Sequence, residues 1–446
     1  MAAVITPPGQ GGVAAMRIAG PGSRMILEKL FRPSSRAKLS PFLMRHGHVV
    51  SCSGELIDEA LAVFMPSGRS YTGLDQAEIF CHGGSQVVKR ILEATVTAGA
   101  RPAQPGEFTK LAFLNGRIDL AKAEAVAEII AASTETSYRA SREHLVGSYS
   151  RHVEKLRSGL LASLADLEVA IDFSEEDIGQ TEVSRLKQRL DGIASEIDRL
   201  ASSYKRGRII REGFRVVICG RPNAGKSSLF NLLLKQERAL VDPEAGTTRD
   251  YLSEWIDLDG FAVNIIDTAG LRIPAGRVEM RGQAKARELI DSADLILWLA
   301  DMTLPEWQNE LEADTQPFVQ RSNLLIANKI DVVSNAGADM LSGILPLSCV
   351  TGEGLERLRS AVLHVINAAA PDLTSGQVVT SARHKRCLDE AAESIARASA
   401  GMTSGESPEI LAFELRQAAD QLGEITGQVY TEEILGEIFS RFCIGK

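Results

Sequence analysis

The chain has 446 residues, of which 44% are hydrophobic and 24% are charged, a composition typical of a globular protein with two to four domains. No run approaches the ~18 apolar residues that a membrane span requires. The first residues lack a basic segment followed by an apolar core, so we expect a cytoplasmic protein without a secretory signal or membrane anchor. The net charge of −9 argues against a broad nucleic-acid-binding face. The six cysteines are scattered without a CxxC pair, which predicts free thiols.

Residues 1 to about 115 combine turn-forming Gly and Pro with short strand patterns, such as those over 46–51 and 59–66. Residues 85–100 carry apolar side chains at helical spacing, and Gly99 marks the end of the predicted helix. This first region is therefore predicted to form a small α+β domain.

Long amphipathic helices are predicted from about residue 119 to 210, and helical patterning returns after Pro371. In one of these helices the apolar residues recur every three or four positions, at Leu156, Leu160, Leu161, Leu164, Leu167 and Ile171. Residues 215 to about 368 instead alternate short apolar runs with helical patterns, which predicts a parallel sheet with crossover helices. We expect an α+β domain over 1–117 and a helical domain over 118–212 and 371–446, interrupted by an inserted α/β domain over 213–370.

Two short basic segments, 204–213 and 381–386, are the candidates for contacts with nucleic acid. Charge runs at helix ends usually face water, so solvated helix ends are the favoured interpretation of both segments.

The sequence GRPNAGKSS (220–228) fits the P-loop pattern and lies between a predicted strand and a predicted helix. Gly220 and Gly225 allow backbone N–H groups to converge on phosphate oxygens at a helix N-terminus. Lys226 supplies a positive charge to the outer phosphates, and the Ser227 hydroxyl is placed to bind Mg²⁺.

The motif NKID (328–331) distinguishes guanine from adenine, because Asp331 can accept two hydrogen bonds from the ring N–H and the amino group of guanine. The motifs DTAG (267–270), GTTRD (246–250) and LSCVTGEG (347–354) complete the pattern of a P-loop G domain, with Asp267 reaching the metal through water. The residues predicted to bind GTP are Asn223, Ala224, Gly225, Lys226, Ser227, Ser228, Thr247, Thr248, Asp267, Thr268, Ala269, Gly270, Asn328, Lys329, Asp331, Ser348 and Cys349.

The residue after DTAG is Leu271, where Ras-like GTPases carry a glutamine that orients water. Leucine cannot orient water, so another group is required for hydrolysis. Glu279 is the candidate, and a solvated loop carboxylate is the alternative interpretation of this residue. The sequence shows no arginine finger, and Asn223 together with carbonyls before GTTRD could bind a monovalent cation at the phosphates instead.

The chain resembles the bacterial tRNA-modification GTPase family MnmE, also called TrmE, over its whole length. The stretches that carry the resemblance are TPPGQGGVAAMRIAG (6–20), SYTG (70–73), HGG (82–84), RPAQPGEFTKLAFLNGRIDLAKAEAV (101–126), DFSEEDI (172–178), which we expect to be helical, and LGEIFSRFCIGK (435–446), besides the G motifs. The segment 101–126 and the C-terminal motif are the most specific of these.

The resemblance implies a homodimer formed through an N-terminal domain that binds a reduced folate, formyl- or methylene-tetrahydrofolate. It also implies an FAD-dependent MnmG-type partner in a heterotetramer that adds an aminomethyl-type (carboxymethylaminomethyl) group at C5 of the wobble uridine of tRNA. The implied site residues are Ser227 and Thr248 for Mg²⁺, Asn223, Asp242, Glu244 and Thr247 for K⁺, Glu279 for catalysis, and Arg17, Glu78, Arg117 and Lys446 for the folate.

The chain departs from the family pattern at several positions. Arg117 stands where lysine is common, which changes the hydrogen-bond geometry. Leu74 and the three switch-loop residues Ile273, Gly276 and Arg277 stand where acidic residues are common.

Cys443, the fourth residue from the end, admits three interpretations. Lipidation is disfavoured because Lys446 occupies the last position. The resemblance favours a functional thiol near the folate that assists one-carbon transfer. Burial as a small apolar side chain is the alternative.

Two other functions compete with that of a tRNA-modifying GTPase. The first is an RNA-binding switch GTPase of ribosome assembly or translation, which the acidic composition disfavours. The second limits the N-terminal domain to dimerisation, without folate binding.

Overall fold

The computed structural model describes residues 1–35, 39–172, 180–240, 252–268, 287–333, 343–369 and 378–446. These residues form two compact units. The first unit comprises 1–127, 150–157 and 419–446, and the second comprises 128–149 and 158–418.

The N-terminal region alternates strands with short helices. Its elements are β1 (Ala2–Val4), β2 (Gly11–Ala19), α1 (Ser23–Leu30), β3 (Phe31–Pro33), β4 (Arg45–Val50), β5 (Leu56–Met65), β6 (Gln76–Gly83), α2 (Ser85–Thr97) and α3 (Glu107–Leu114). The six strands form an antiparallel sheet in the order β1-β2-β6-β5-β4-β3. Helices α1 and α2 cover one face and bury residues such as Met16, Ile79 and Ile91. The predicted α+β domain is confirmed.

Helices follow in succession: α4 (Leu120–Ala131), α5 (Glu135–Val146), α6 (Ser148–Asp172), α7 (Gln180–Ser202) and α8 (Tyr204–Glu212). Thr134 and Ser137 form a capping box at the start of α5, and Gly147 ends that helix in the left-handed conformation. Along α6, Leu156, Leu160, Leu164 and Leu167 are buried as the spacing predicts. Leu161 is 38% exposed, because it lies one residue beyond the buried face.

The inserted region contains β7 (Phe214–Gly220), α9 (Lys226–Gln236), β8 (Arg238–Ala239), β9 (Leu252–Leu258), β10 (Phe261–Asp267), β11 (Leu295–Asp301), α10 (Trp307–Thr315), β12 (Asn323–Asn328), β13 (Ile344–Leu347) and α11 (Leu355–Ala369). Its strand order is β13-β12-β11-β7-β10-β9-β8. The central strands are parallel, as predicted, and the P-loop strand β7 lies between β11 and β10.

The sheet also has an antiparallel edge that the sequence analysis did not include, where β9 is antiparallel to β10 and β8 is antiparallel to β9. Strands β9 and β10 are joined by Asp259 and Gly260, with φ of 50° and 87°. Asp-Gly with two positive φ angles is typical of a tight hairpin. The Asp-Gly pair therefore predicts this antiparallel hairpin, which the periodicity of apolar residues does not.

The C-terminal helices are α12 (Ala382–Ser404), α13 (Pro408–Thr426) and α14 (Glu432–Ser440). In the second unit α12 packs along α7, where the Lys187 ammonium donates to the Thr403 hydroxyl at 3.2 Å. In the first unit α14 packs on α3 and α4 through an apolar cluster. Helices from before and after the insert therefore contact each other within each unit. The motif over 172–178 lies outside the described residues apart from Asp172.

The basic segment 204–213 is not a solvated helix end, contrary to expectation. Arg206 is buried and Arg208 pairs with Asp294 of the inserted region. Arg211 lies 3.5 Å from the carboxylate of Glu128. In the segment 381–386, Ser381 and His384 are buried, while Lys385 and Arg386 pair with acidic residues of their own helix. Both segments have structural partners inside the second unit.

Candidate functional site

The P-loop leaves β7 at Gly220 and enters α9 at Lys226. Gly220, Asn223 and Gly225 have φ of 146°, 66° and 103°. A side chain at Gly220 would collide with the Leu299 carbonyl, so the close approach of the two strands requires glycine. The backbone N–H groups at the start of α9 are thereby directed into the loop, as phosphate binding requires.

Lys226 lies across this loop. Its ammonium donates to the carbonyl oxygens of Gly220 and Arg221, both at 2.8 Å. Burial lowers the pKa of Lys226, with the nearby Asp267 carboxylate opposing this shift. The positive charge is therefore held at the position where phosphate oxygens bind in a P-loop.

The metal side of the site joins α9 to the end of β10. The Ser227 hydroxyl donates to the carboxylate of the buried Asp267 at 2.8 Å, and the Thr268 hydroxyl donates to the Ile218 carbonyl at 2.7 Å. A hydroxyl and a carboxylate beside a phosphate-binding loop are the oxygen donors that Mg²⁺ prefers. The residues present thus fit a magnesium ion held by Ser227, with Asp267 supporting it. Within the described ranges no cluster of three or more His, Cys, Asp or Glu side chains forms a further metal site.

The base side is built around Asn328, which is 2% exposed. Its Nδ2 donates to the Ala224 carbonyl of the P-loop at 2.8 Å, and its Oδ1 accepts from the Cys349 N–H at 3.1 Å. Asn328 therefore connects the phosphate-binding loop to the loop after β13. A side-chain amide at the first position of NKID can make both connections because it carries N–H donors and a carbonyl acceptor.

Asp331 accepts a hydrogen bond from the buried Ser348 hydroxyl at 2.6 Å, which orients its carboxylate. Lys329, with φ of 69°, pairs with Asp301 at 2.5 Å. The hydrogen bond from Lys329 helps to lower the pKa of Asp301 against the opposing effect of burial. Burial also raises the pKa of the Cys349 thiol to about 11, so this thiol is uncharged at neutral pH.

The structure brings together those predicted GTP-binding residues that it describes: Asn223 to Ser228, Asp267, Thr268, Asn328, Lys329, Asp331, Ser348 and Cys349. Asn223 and Ser228 are exposed on the open side of the loop. The remaining predicted residues lie outside the described part of the chain, namely Asp242, Glu244, Thr247, Thr248, Ala269, Gly270 and Glu279, together with Leu271.

A second cluster lies in the first unit around Arg17. Its guanidinium donates to the Glu78 carboxylate at 2.8 Å, and the ring centroids of Tyr71 and Phe108 lie 5.1 and 5.4 Å from it. The Tyr71 hydroxyl is 2.9 Å from that of Thr109. Sequence reasoning selected Arg17 and Glu78 but missed the two aromatic residues, although both lie in quoted motifs, SYTG and PGEFT.

The C-terminal tail docks beside the same cluster. The Phe108 N–H donates to the Lys446 carbonyl at 3.0 Å, and Gly445 packs so closely on Val4 that a side chain there would meet its carbonyl. Arg117 donates to the Gly68 carbonyl at 3.0 Å, in the turn that precedes Tyr71. Cys443 is exposed in this chain, so its burial as a small apolar residue was not the right interpretation.

Comparisons with known proteins agree with this arrangement. The family model of the TrmE N-terminus matches residues 1–117, and the model of the MnmE helical domain matches residues 120–443. The chain belongs to the MnmE family. Full-length relatives named tRNA modification GTPase MnmE include those of Natranaerobius thermophilus (39% identical, 100% of this chain and 99% of the relative) and Akkermansia muciniphila (41%, 100% and 98%). The relative from Aquifex aeolicus is 39% identical, with coverage of 100% and 99%.

Membership of the MnmE family confirms the predicted multidomain fold and the assignment to a family of GTPases. The G domain of the FeoB iron transporter of T. maritima aligns with 34% of this chain and 98% of its own length at 27% identity, with a TM-score of 0.26. None of the helices that the structure describes has the length and apolar character needed to cross a membrane.

Proposed function

We propose that this chain is a potassium-stimulated GTP hydrolase that drives modification of the wobble uridine of tRNA at C5. The observation that carries the proposal is the double attachment of Asn328 to Ala224 and Cys349, which assembles phosphate loop and base loop into one guanine-nucleotide site. Relatives of the same length are named as tRNA modification GTPases, which supports the same conclusion.

For hydrolysis, Lys226 and the Ser227–Asp267 pair would hold the phosphates and Mg²⁺. We assign the potassium site to Asn223 with Asp242, Glu244 and Thr247, the second magnesium ligand to Thr248, and water activation to Glu279. An alkali ion at Asn223 would stabilise the transition-state charge that an arginine finger neutralises in other GTPases.

The N-terminal cluster is proposed to bind the reduced folate, which supplies the one-carbon unit when bound. Arg17, which is paired with Glu78, and the rings of Tyr71 and Phe108 next to it offer charged donors and a stacking surface to a flat, polar ring system. Arg117 and Lys446 border the same region. The exposed Cys443 thiol three residues from Lys446 is proposed to assist one-carbon transfer.

The proposed assembly is a cytoplasmic homodimer that acts on tRNA with an FAD-dependent MnmG-type partner. The decisive experiment is nucleoside analysis of tRNA from cells that lack this protein, complemented with the parent chain or with Cys443→Ser. We expect the C5-modified uridine to disappear and to return only with the parent chain. Unchanged nucleosides in the deleted cells would refute the tRNA function, and full rescue by Cys443→Ser would refute the role of the thiol.

The hydrolysis mechanism is tested separately with the purified chain. We expect faster GTP turnover in KCl than in NaCl at equal ionic strength, and turnover about 100-fold lower for Glu279→Ala with unchanged nucleotide affinity, the usual scale for losing a proton-transfer or water-positioning group. Equal rates in the two salts would contradict the potassium site.

A further inference from the structure

The hairpin of β9 and β10 reaches from the nucleotide site to the helical part of the second unit. At one end of β10, Asp267 accepts the hydrogen bond from Ser227. At the other end, Asp259 and Gly260 form the turn. The seven residues of β10 span about 20 Å, and ladders with β7 and β9 on both sides make this strand stiff along its length.

The turn is held by Arg359 of α11. Its guanidinium donates to the Asp259 carboxylate at 2.7 Å and lies 3.1 Å from that of Glu237. Glu237 is the C-cap of the P-loop helix α9, and α11 follows the base loop. The turn is therefore tied to both helices that begin at the nucleotide site.

The hairpin also contacts helices α5 and α8, which both pack against β10. A side chain at Gly260 would lie 3.2 Å from the Thr136 hydroxyl of α5, so the turn and this helix are in close contact. Gly213, the C-cap of α8, lies against the hairpin, and any side chain there would collide with the Trp255 ring. Ile209 of α8 belongs to the same apolar core as Val263 of β10.

Helices α5 and α8 also hold the segment that leaves the inserted region. The His144 ring nitrogen Nε2 is 2.8 Å from the Val378 carbonyl, and the Val379 N–H donates to the Ser203 hydroxyl at 3.0 Å. Gly207 of α8 approaches the Val379 carbonyl so closely that a side chain would not fit. The hairpin therefore contacts two helices that hold both chain connections of the insert.

We propose that the β9–β10 hairpin couples occupancy of the nucleotide site to the positions of α5 and α8, with Arg359 and Thr136 as positioning residues. Ser227 and Asp267 would hold a magnesium ion beside the outer phosphates, so a triphosphate and a diphosphate would place different charge against this end of β10. Because the coupling is reciprocal, loosening the far end of the hairpin must change the preference of the site between nucleotides. This inference rests on the proposed function, since guanine nucleotides are its ligands.

The test uses the full chain, with GDP or a non-hydrolysable GTP analogue in KCl, and hydrogen–deuterium exchange of α5 and α8. Arg359→Gln removes the anchor of the turn, and Arg357→Gln on the exposed side of the same helix is its matched control. Thr136→Ala removes the contact on the helical side and replaces Thr with a better helix former, so the helix itself is not weakened. Affinities for fluorescent GDP and for a fluorescent non-hydrolysable GTP analogue are measured for every variant.

We expect the exchange of α5 and α8 to differ between the two nucleotides in the parent chain and in Arg357→Gln, and the difference to fall at least two-fold in Arg359→Gln and Thr136→Ala. The ratio of the two nucleotide affinities should shift by about five-fold or more in both variants, the lower end of typical coupling. A nucleotide-dependent difference that survives in both, even with a lower melting temperature, would overturn the coupling and leave a structural role. Failure of the parent chain to bind GDP would overturn the proposed function itself and this inference with it.

Discussion

Asn328 offers the sharpest test of how the nucleotide site is assembled. Asn328→Ala removes both the hydrogen bond to the Ala224 carbonyl and the one from the Cys349 N–H. Each bond contributes about 1 kcal/mol, so the arrangement in which both loops are in place loses about 2 kcal/mol. The competent arrangement then becomes about 30-fold less populated relative to open ones, and the apparent Kd for GDP rises by up to the same factor.

The assay is titration of fluorescent GDP at constant Mg²⁺ and KCl. Asn323→Ala is the matched control, because Asn323 lies at the other end of β12 and makes a similar set of hydrogen bonds, to Trp298, Phe318 and Arg321. The control should lower thermal stability without changing GDP affinity. The reasoning fails if Asn328→Ala binds GDP within about three-fold of the parent chain, or if both variants weaken binding equally.

Three further predictions concern base recognition, pH and packing. Asp331→Asn should weaken GTP binding by more than about ten-fold and allow tight binding of xanthosine triphosphate, because the new amide can donate where the carboxylate accepted. Competition titrations in which the variant still prefers GTP would contradict this prediction. The hydrogen bond from Arg101 is the largest cause that lowers the pKa of Glu107 below its ordinary value of 4.5. The ionised Glu107 therefore stabilises the folded chain above pH 4.5, and this contribution is lost as the pH falls through and below that value. Glu107→Gln should therefore flatten the acid limb of thermal unfolding plotted against pH. Gly207→Ala should destabilise the chain by about 1–3 kcal/mol through overpacking against Val379, whereas Gly192→Ala in the open face of α7 should stabilise it by up to about 1 kcal/mol; equal melting temperatures would contradict the packing argument.

The sequence was sufficient to predict most of the secondary structure and to predict that the described P-loop and NKID residues lie close together. Buried strands such as Leu295–Asp301 are continuous apolar runs, and the P-loop residues are neighbours in the chain, so local patterns determine both. The Asp331 carboxylate was predicted from its motif, but its hydrogen bond with Ser348 joins two motifs 17 residues apart and needed the folded chain.

Long-range contacts account for what sequence reasoning missed. The ring of Phe108 beside Arg17 and the docking of Lys446 on Phe108 connect residues far apart in the chain, and no periodicity encodes such pairs. The basic segment around Arg208 was interpreted as solvated because charge runs usually are. Its partner Asp294 comes close only when α8 packs on the inserted sheet.

The first unit draws its helix α14 from the far end of the chain, and this has a consequence for biosynthesis. The apolar faces of α3 and α4, including Phe113, Leu120 and Ala123, are completed by Leu435, Ile438 and Phe439. Between the end of α4 at residue 131 and the end of α14 at residue 440 the ribosome adds 309 residues (440 − 131), which takes about 15–60 s at ordinary translation rates. For that interval the nascent N-terminal segment presents an uncovered apolar surface, so chaperone binding during translation, released once α14 has emerged, is the expected fate of the growing polypeptide.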